Sequence, residues 1–233
     1  MNTAPAVAWA FTTDYNQVPY DGLSHSHTHP SLLWVVGKLL GLEPAPPQAC
    51  RVLEIGCAQG YNLIPMALGL PHSRFVGVDL ACRQVEQGLE AVRSLSATNV
   101  TLVCRDIMDL DAHSPVFGGE ESGFDYIIAH GFYSWTPLPI RDRLLALCRD
   151  LLRPQGVAFI SYNAYPGAHF LEALRNMMLH HVRRYADPLT RAREARKFIE
   201  VLDETTRAPA MPFSGFYAAF RQLTHAYHDH LAS

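Results

Sequence analysis

Val52-Leu-Glu-Ile-Gly-Cys-Ala-Gln-Gly-Tyr-Asn62 is the stretch whose reading decides the fold. A short apolar run from Arg51 to Ile55 stops at Gly56, crosses small residues to Gly60, and resumes with helical spacing in Leu63-Ile-Pro-Met-Ala-Leu68. The pattern is a strand, a tight turn and a helix start. Glycine permits positive φ and has no Cβ, so a ligand can lie directly on the backbone of such a turn. The first turn of the helix offers N–H donors to a carboxylate or phosphate. The stretch is suited to hold a small polar molecule.

Spacing narrows the choice. A dinucleotide fingerprint needs Gly-x-Gly-x-x-Gly so that the backbone can approach a pyrophosphate; counted from Gly56, the second and third positions are Ala58 and Tyr61, and the pattern fails twice. What stands instead is Glu54-x-Gly56-x-x-x-Gly60. A second β-type run, Arg74-Phe-Val-Gly-Val-Asp79, ends in an acid that can bond both hydroxyls of a ribose. A third, Val100-Thr-Leu-Val-Cys-Arg-Asp106-Ile107, again closes on an acid, placed to accept from an adenine amino group. Glycine turn, ribose acid and adenine acid in this order resemble the S-adenosyl-L-methionine site of class I methyltransferases. The competing structural explanation is an ordinary strand–helix turn whose acids only cap the following helices.

The bulk properties agree with a globular α/β protein. Of 233 residues, 48% are hydrophobic and 18% charged, enough for a sizeable core. A formal net charge of −3 argues against nucleic acid as partner, since phosphate binding relies on clustered Lys and Arg. No apolar run is long enough to span a bilayer, and Met1-Asn-Thr-Ala-Pro5 lacks the pattern of a signal peptide; a cytoplasmic protein is expected. Five cysteines, Cys50, Cys57, Cys82, Cys104 and Cys148, contain no Cys-x-x-Cys pair and read as small buried hydrophobes, not as disulfide or zinc partners.

Around the central turn, residues 1–30 read as an irregular arm carrying Tyr15, Tyr20 and the run His25-Ser-His-Thr-His29-Pro30. Alternating histidines could bind a transition metal, but no acid or cysteine clusters beside them, and a surface loop with no metal is the expectation. Ser31 to Leu42 predicts an amphipathic helix with Leu32, Val35, Val36, Leu39 and Leu40 on its apolar face. A proline-stiffened linker, Glu43 to Gln48, follows. Later segments predict a helix from about 81 to 96, a loop from 109 to 123, a buried strand Phe124–Ala129, a helix through Ile140 to Leu151, a turn Arg153-Pro-Gln-Gly156, and a fifth strand Val157–Tyr162. Strands alternating with helices imply a mostly parallel, doubly wound sheet of Rossmann type, with its ligand at the carboxyl ends of the strands.

Beyond Pro166 only helical stripes remain: Phe170, Leu174, Met177, His181 and Tyr185; then Ala195, Phe198, Ile199 and Leu202; then Phe213 through Leu231. No pair of strands closes the sheet, so the fifth strand is an open edge and a homodimer is plausible. The expected divisions are an arm and helix over 1–42, a Rossmann-like core over 43–165, and a helical extension over 166–233.

Several strings are specific enough to compare with a family: Tyr15-x-x-Val-Pro-Tyr20, Thr28-His-Pro30, Arg51-Val-Leu-Glu-Ile-Gly-Cys57, Asn62-Leu-Ile-Pro-Met66, Phe124-Asp-Tyr-Ile-Ile-Ala-His-Gly131, Tyr133-Ser-Trp135 and Ser161-Tyr-Asn-x-Tyr-Pro-Gly167. They resemble bacterial methyltransferases that carry a regulatory domain, a group including outer-membrane-protein lysine methyltransferases. Members are commonly longer, which supports reading this chain as a fragment; the alternative is that its own helices replace the missing edge of the sheet. Ala58 stands where glycine is common, Ala168 replaces a tryptophan before His169, and the segment from Gly22 to Ser26 differs.

The resulting candidate site has Glu54, Gly56, Cys57, Ala58, Gly60, Asn62, Asp79, Leu80, Asp106, Ile107 and His130 binding S-adenosylmethionine. His130, Tyr133, Tyr20 and Tyr15 are the candidates for the acceptor side. Trp135 and Tyr162 lie at neighbouring strand ends. His130-Gly-Phe-Tyr133 is not the Asn/Asp-Pro-Pro-Tyr string that holds a planar exocyclic amine. The favoured acceptor is a protein lysine, with a small metabolite as the alternative and a cofactor-binding regulatory module without turnover as the second.

Overall fold

The computed structural model describes residues 16–19, 22–118 and 123–206. Five strands, β1 (Arg51–Ile55), β2 (Arg74–Asp79), β3 (Val100–Cys104), β4 (Phe124–Ala129) and β5 (Leu152–Ile160), form one parallel sheet in the order β3-β2-β1-β4-β5. Among the described residues six α-helices accompany them: α1 (Pro30–Leu39), α2 (Leu63–Gly69), α3 (Cys82–Ser94), α4 (Leu138–Leu151), α5 (Ala168–Val182) and α6 (Pro188–Thr206). Among the described residues, Asn16 and Gly22–Tyr162 form one compact unit, and Gln17–Pro19 with Asn163–Thr206 a second.

In the first unit the period-2 alternation of strand side chains divides the core in two. Val52, Phe75, Tyr126 and Ile128 meet Leu33 of α1, Leu63 and Ile64 of α2 and Val85 of α3 on one face. Leu53, Ile55, Val78 and Ile127 meet Leu144, Leu147 and Leu151 of α4 on the other. All six positions of β4 are buried, as its continuous apolar run predicts for a central parallel strand. Asp125 within it is held at the amino end of the sheet, where it accepts from the Arg51 amide at 2.7 Å and pairs with Arg153 at 3.2 Å.

Three local expectations are corrected. The apolar face assigned to α1 points outward: Leu39 is 81% exposed, and Leu32, Val35 and Val36 are each more than 40% exposed, whereas Leu33 and Gly37 are buried. Gly37 explains this, because a Cβ there would come within 3.0 Å of Pro44 and 3.2 Å of Val157; the helix seats on its small residue. Strand β5 begins five residues early, at Leu152, and the expected turn survives as a register shift with Gln155 at φ 67°. Cys82 and Cys104 form a disulfide between the start of α3 and the end of β3, so they are not the unpaired hydrophobes expected; Cys50, Cys57 and Cys148 are buried free thiols.

In the second unit α5 and α6 pack through Leu174 and Ile199, flanked by Met178 and Leu202. Met177, placed on the packing stripe from sequence, is 37% exposed, and its neighbour Met178 takes the contact. His181 stacks on Phe198 at 4.8 Å. The third stripe, Phe213 to Leu231, lies outside the described residues. Among the described residues no strand follows β5, and no helix is long and apolar enough to cross a membrane.

Candidate active site

The turn between β1 and α2 sits at the carboxyl edge of the sheet. Gly56 at φ 78° and Gly60 at φ 72° use the left-handed region that glycine enters without strain, and Ala58 between them is held there at φ 48°. The loop is bonded to its neighbour strand: the Gly56 and Cys57 amides donate to the Val78 carbonyl, at 2.8 and 3.2 Å, and the Ala58 amide donates to Asp79 Oδ2 at 2.8 Å. Asp79 Oδ1 accepts from the Ala81 amide at 2.8 Å. Burial raises the Asp79 carboxyl above the usual carboxylate range, while the amides of Ala81 and Ala58 pull it back.

Beneath the turn, Glu54 is 4% exposed. Its Oε1 accepts from Asn62 Nδ2 at 2.7 Å, and its buried Oε2 has no hydrogen-bond partner among the described residues. Burial is the main cause that pushes its carboxyl up to about 8, opposed by the Asn62 bond and assisted by the nearby Asp79 charge. Asn62 also reaches the arm: it donates to Thr28 Oγ1 at 3.0 Å, and its Oδ1 accepts from the His25 amide at 2.9 Å. Cys57 is buried against β2, where a Cβ on Gly77 would lie 2.8 Å from its sulfur. Burial, with Asp79 and Glu54 close by, pushes its thiol well up, so it supplies no thiolate.

The next strand tip carries Asp106, whose Oδ1 caps the 3-10 turn Ile107–Asp109 by accepting from the Met108 amide at 2.9 Å. Ile107 is buried and Leu80 is 36% exposed. The pairing Asp79 with Cys104, and Glu54 with both Gly77 and Ile128, sets the tips of β1, β2, β3 and β4 side by side.

A family model described as a methyltransferase domain matches residues 53–158. The uncharacterized protein RP028 of Rickettsia prowazekii is 34% identical over 216 residues, which are 92% of this chain and 83% of that protein. The chain belongs to the methyltransferase domain family. The solved structure of PKMT2 from Rickettsia typhi in complex with AdoHcy matches with a TM-score of 0.71 at 32% identity, over 90% of this chain and 39% of PKMT2. RP789 of Rickettsia prowazekii is 34% identical over 86% of this chain and 35% of its own length. The methyltransferase chain thus spans most of RP028 but little more than a third of RP789 and PKMT2.

PKMT2 holds AdoHcy, the demethylated form of S-adenosylmethionine, and the residues present in this chain fit a compound of that kind. A sulfonium amino acid brings an ammonium, which answers the orphaned Glu54 Oε2; the turn from Gly56 to Gly60 has the backbone form that lets a ligand lie against it.

His130, directly after β4, is half-buried, and its buried Nδ1 has no hydrogen-bond partner among the described residues. Its ring centroid lies 4.1 Å from that of His25 and 4.8 Å from that of His27. Burial, then the neighbouring His25 and His27, lower its pKa to about 4, so the ring is neutral at pH 7. Tyr133 belongs to a 3-10 turn and packs partly buried on the α4 side of the sheet, with the Arg141 guanidinium 5.3 Å from its ring centre. Tyr15 and Tyr20 lie outside the described residues. Trp135 and Tyr162 are exposed.

Sequence reasoning missed Thr28, His25 and His27 as neighbours of the site, and Phe132, whose ring would lie 2.6 Å from a Cβ on Gly56. Thr28 is wholly buried and donates to the His25 carbonyl at 2.9 Å, fixing the 3-10 turn Ser26–Thr28. His29 departs from the other two histidines and caps α1, its Nδ1 accepting from the Ser31 amide at 3.2 Å.

Proposed function

We propose that this methyltransferase modifies the side-chain amine of a protein lysine. The observation that carries the site assignment is the buried Glu54 carboxyl with one unpartnered oxygen beneath a glycine turn. In this reading Glu54 takes the cofactor ammonium, and the backbone from Gly56 through Ala58 to Gly60 lies against its amino-acid end. Asp79 takes the ribose; Leu80, Asp106 and Ile107 border the adenine. Cys57 and Asn62 hold the turn in shape, through packing and hydrogen bonds respectively. His130 and Tyr133, with Tyr15 and Tyr20 on the arm, face the acceptor.

The bound cofactor supplies an electrophilic methyl group for in-line displacement. The chain must align the amine, exclude water and keep it neutral. A lysine ammonium, with an ordinary pKa near about 10.4, loses its proton more readily in a desolvating pocket. His130, neutral at pH 7, adds no positive charge against it.

Two supports favour lysine over a small metabolite. The strings at Tyr133-Ser-Trp135 and Ser161-Tyr-Asn163, outside the cofactor turn, resemble those of lysine methyltransferases, and the likeness to PKMT2 extends over 90% of the chain. The test is incubation with methyl-labelled cofactor and a cell lysate separated by size, followed by amino-acid hydrolysis of the labelled material. Label recovered as methyl-lysine in the protein fraction is expected. Label confined to small molecules would replace the lysine reading with the metabolite one.

A further inference from the structure

The arm brings two imidazoles to a third. His25 and His27 flank Ser26 in the 3-10 turn, and both face His130 at the β4 tip, the three rings having centroids 4.1 to 5.4 Å apart. One nitrogen from each lies within 4.8 Å of the other two. This grouping is held in place. The His25 amide is bonded to Asn62, Thr28 is bonded to both Asn62 and the His25 carbonyl, and Asn62 is bonded to Glu54. On the other side, the Gly131 amide donates to Ser161 Oγ at 2.8 Å, fixing the chain directly after His130.

Packing alone does not account for the cluster. Three imidazoles tilted or edge-on to one another can satisfy one another's polar atoms or a ligand's, yet the buried Nδ1 of His130 has no hydrogen-bond partner among the described residues. A buried nitrogen without a partner is costly, and a metal ion is one species that relieves it.

We infer that His25, His27 and His130 form a site for one divalent transition-metal ion of the zinc class, with a fourth coordination position left open. Three imidazole nitrogens with no carboxylate in the set suit zinc, cobalt, nickel or copper, and not magnesium or calcium, which take oxygen ligands. Three protein ligands with an open position is the arrangement of reactive zinc sites. A tetrahedral ion with bonds of about 2.0 to 2.1 Å needs nitrogens roughly 3.3 Å apart. Closing from 4.8 Å requires ring rotations, and His27 is exposed, so its side chain can turn without displacing core atoms. His130 is already in the neutral state that ligation requires. The site stands apart from the choice of acceptor: it needs only the arm and β4, and it ties the arm to the strand tip beside the cofactor turn.

The test is a titration of the tag-free chain with Co2+, read by its visible d–d absorption. One equivalent is expected to bind with the intense bands of a four- or five-coordinate ion, displaced by Zn2+. His27→Ala is expected to weaken binding by more than the roughly 10- to 100-fold that loss of an outer-shell partner causes. His29→Asn, which keeps an acceptor for the α1 cap, is expected to bind as the parent does. Circular dichroism and S-adenosylhomocysteine affinity report the integrity of each variant without reference to metal. Should His27→Ala fail to fold, X-ray absorption of the zinc-loaded parent counts the ligands directly, and three imidazoles are expected. No stoichiometric binding, equal affinity in a folded His27→Ala, or a zinc shell of fewer than three imidazoles overturns the site.

Discussion

At the scale of single residues, Glu54 is the most consequential side chain. With its carboxyl raised to about 8, it is protonated at pH 7 in the ligand-free chain. Because the folded value lies above the ordinary 4.5, its protonation favours the folded state below pH 4.5, and that contribution is lost as pH rises through about 8. An ammonium placed against Oε2 reverses the preference, so binding S-adenosylmethionine at pH 7 must expel a proton. Calorimetry in two buffers of different ionisation enthalpy is expected to give different binding heats, and Glu54→Gln to remove the difference; identical heats for the parent would remove Glu54 from the cofactor site. Glu54, Asp79 and the glycines were legible because an acid recurs at each of three strand ends and the first is followed by a glycine turn. Thr28, His25 and His27 were not. Their role depends on a chain reversal that returns the arm to Asn62, 34 residues away from Thr28, and no local periodicity records such a contact.

At the scale of elements, the first strand–turn–helix was readable in full, and the reason is close packing as much as turn chemistry. Gly88 in α3 lies against the turn so tightly that a Cβ there would sit 2.1 Å from the Gln59 carbonyl oxygen and 2.6 Å from Leu102. Backbone cannot step aside as a side-chain end can, so Gly88→Ala must push α3 away from the turn. The expected outcome is a loss of about 1 to 3 kcal/mol in chemical denaturation together with weakened cofactor binding; a variant as stable as the parent would mean that α3 and the turn are not in this contact. The same kind of contact defeated the reading of α1, where counting large apolar residues selected the wrong face and a single glycine sets the helix on Pro44 and Val157. Likewise, Cys82 and Cys104 looked unrelated along the sequence, and only the parallel pairing of β2 with β3 brings the start of α3 to the end of β3.

At the scale of the whole molecule, the five parallel strands and their alternation with helices followed from the sequence, because each apolar run was short and bounded by turn residues. The pairing partner of β5 did not. Among the described residues it is one of the two outer strands, with β3 at the opposite edge, and it lies next to β4 alone; we propose that a second copy of the chain covers the β5 edge. Sedimentation equilibrium is expected to show a dimer that a proline at a β5 edge amide, Ala158→Pro, dissociates, since the Ser161 amide donates to Ala129 of β4 and the alternate residues of β5 face away from it; a monomer at all concentrations would exclude it. The central claim, that the tips of β1, β2 and β3 together hold one adenosyl compound, is tested most directly by the crystal structure of the chain with S-adenosylhomocysteine. The account predicts the ammonium at Glu54 Oε2, the backbone of Gly56 to Gly60 against the amino-acid end and the ribose at Asp79. Density for the ligand elsewhere, with those tips bare, would contradict it.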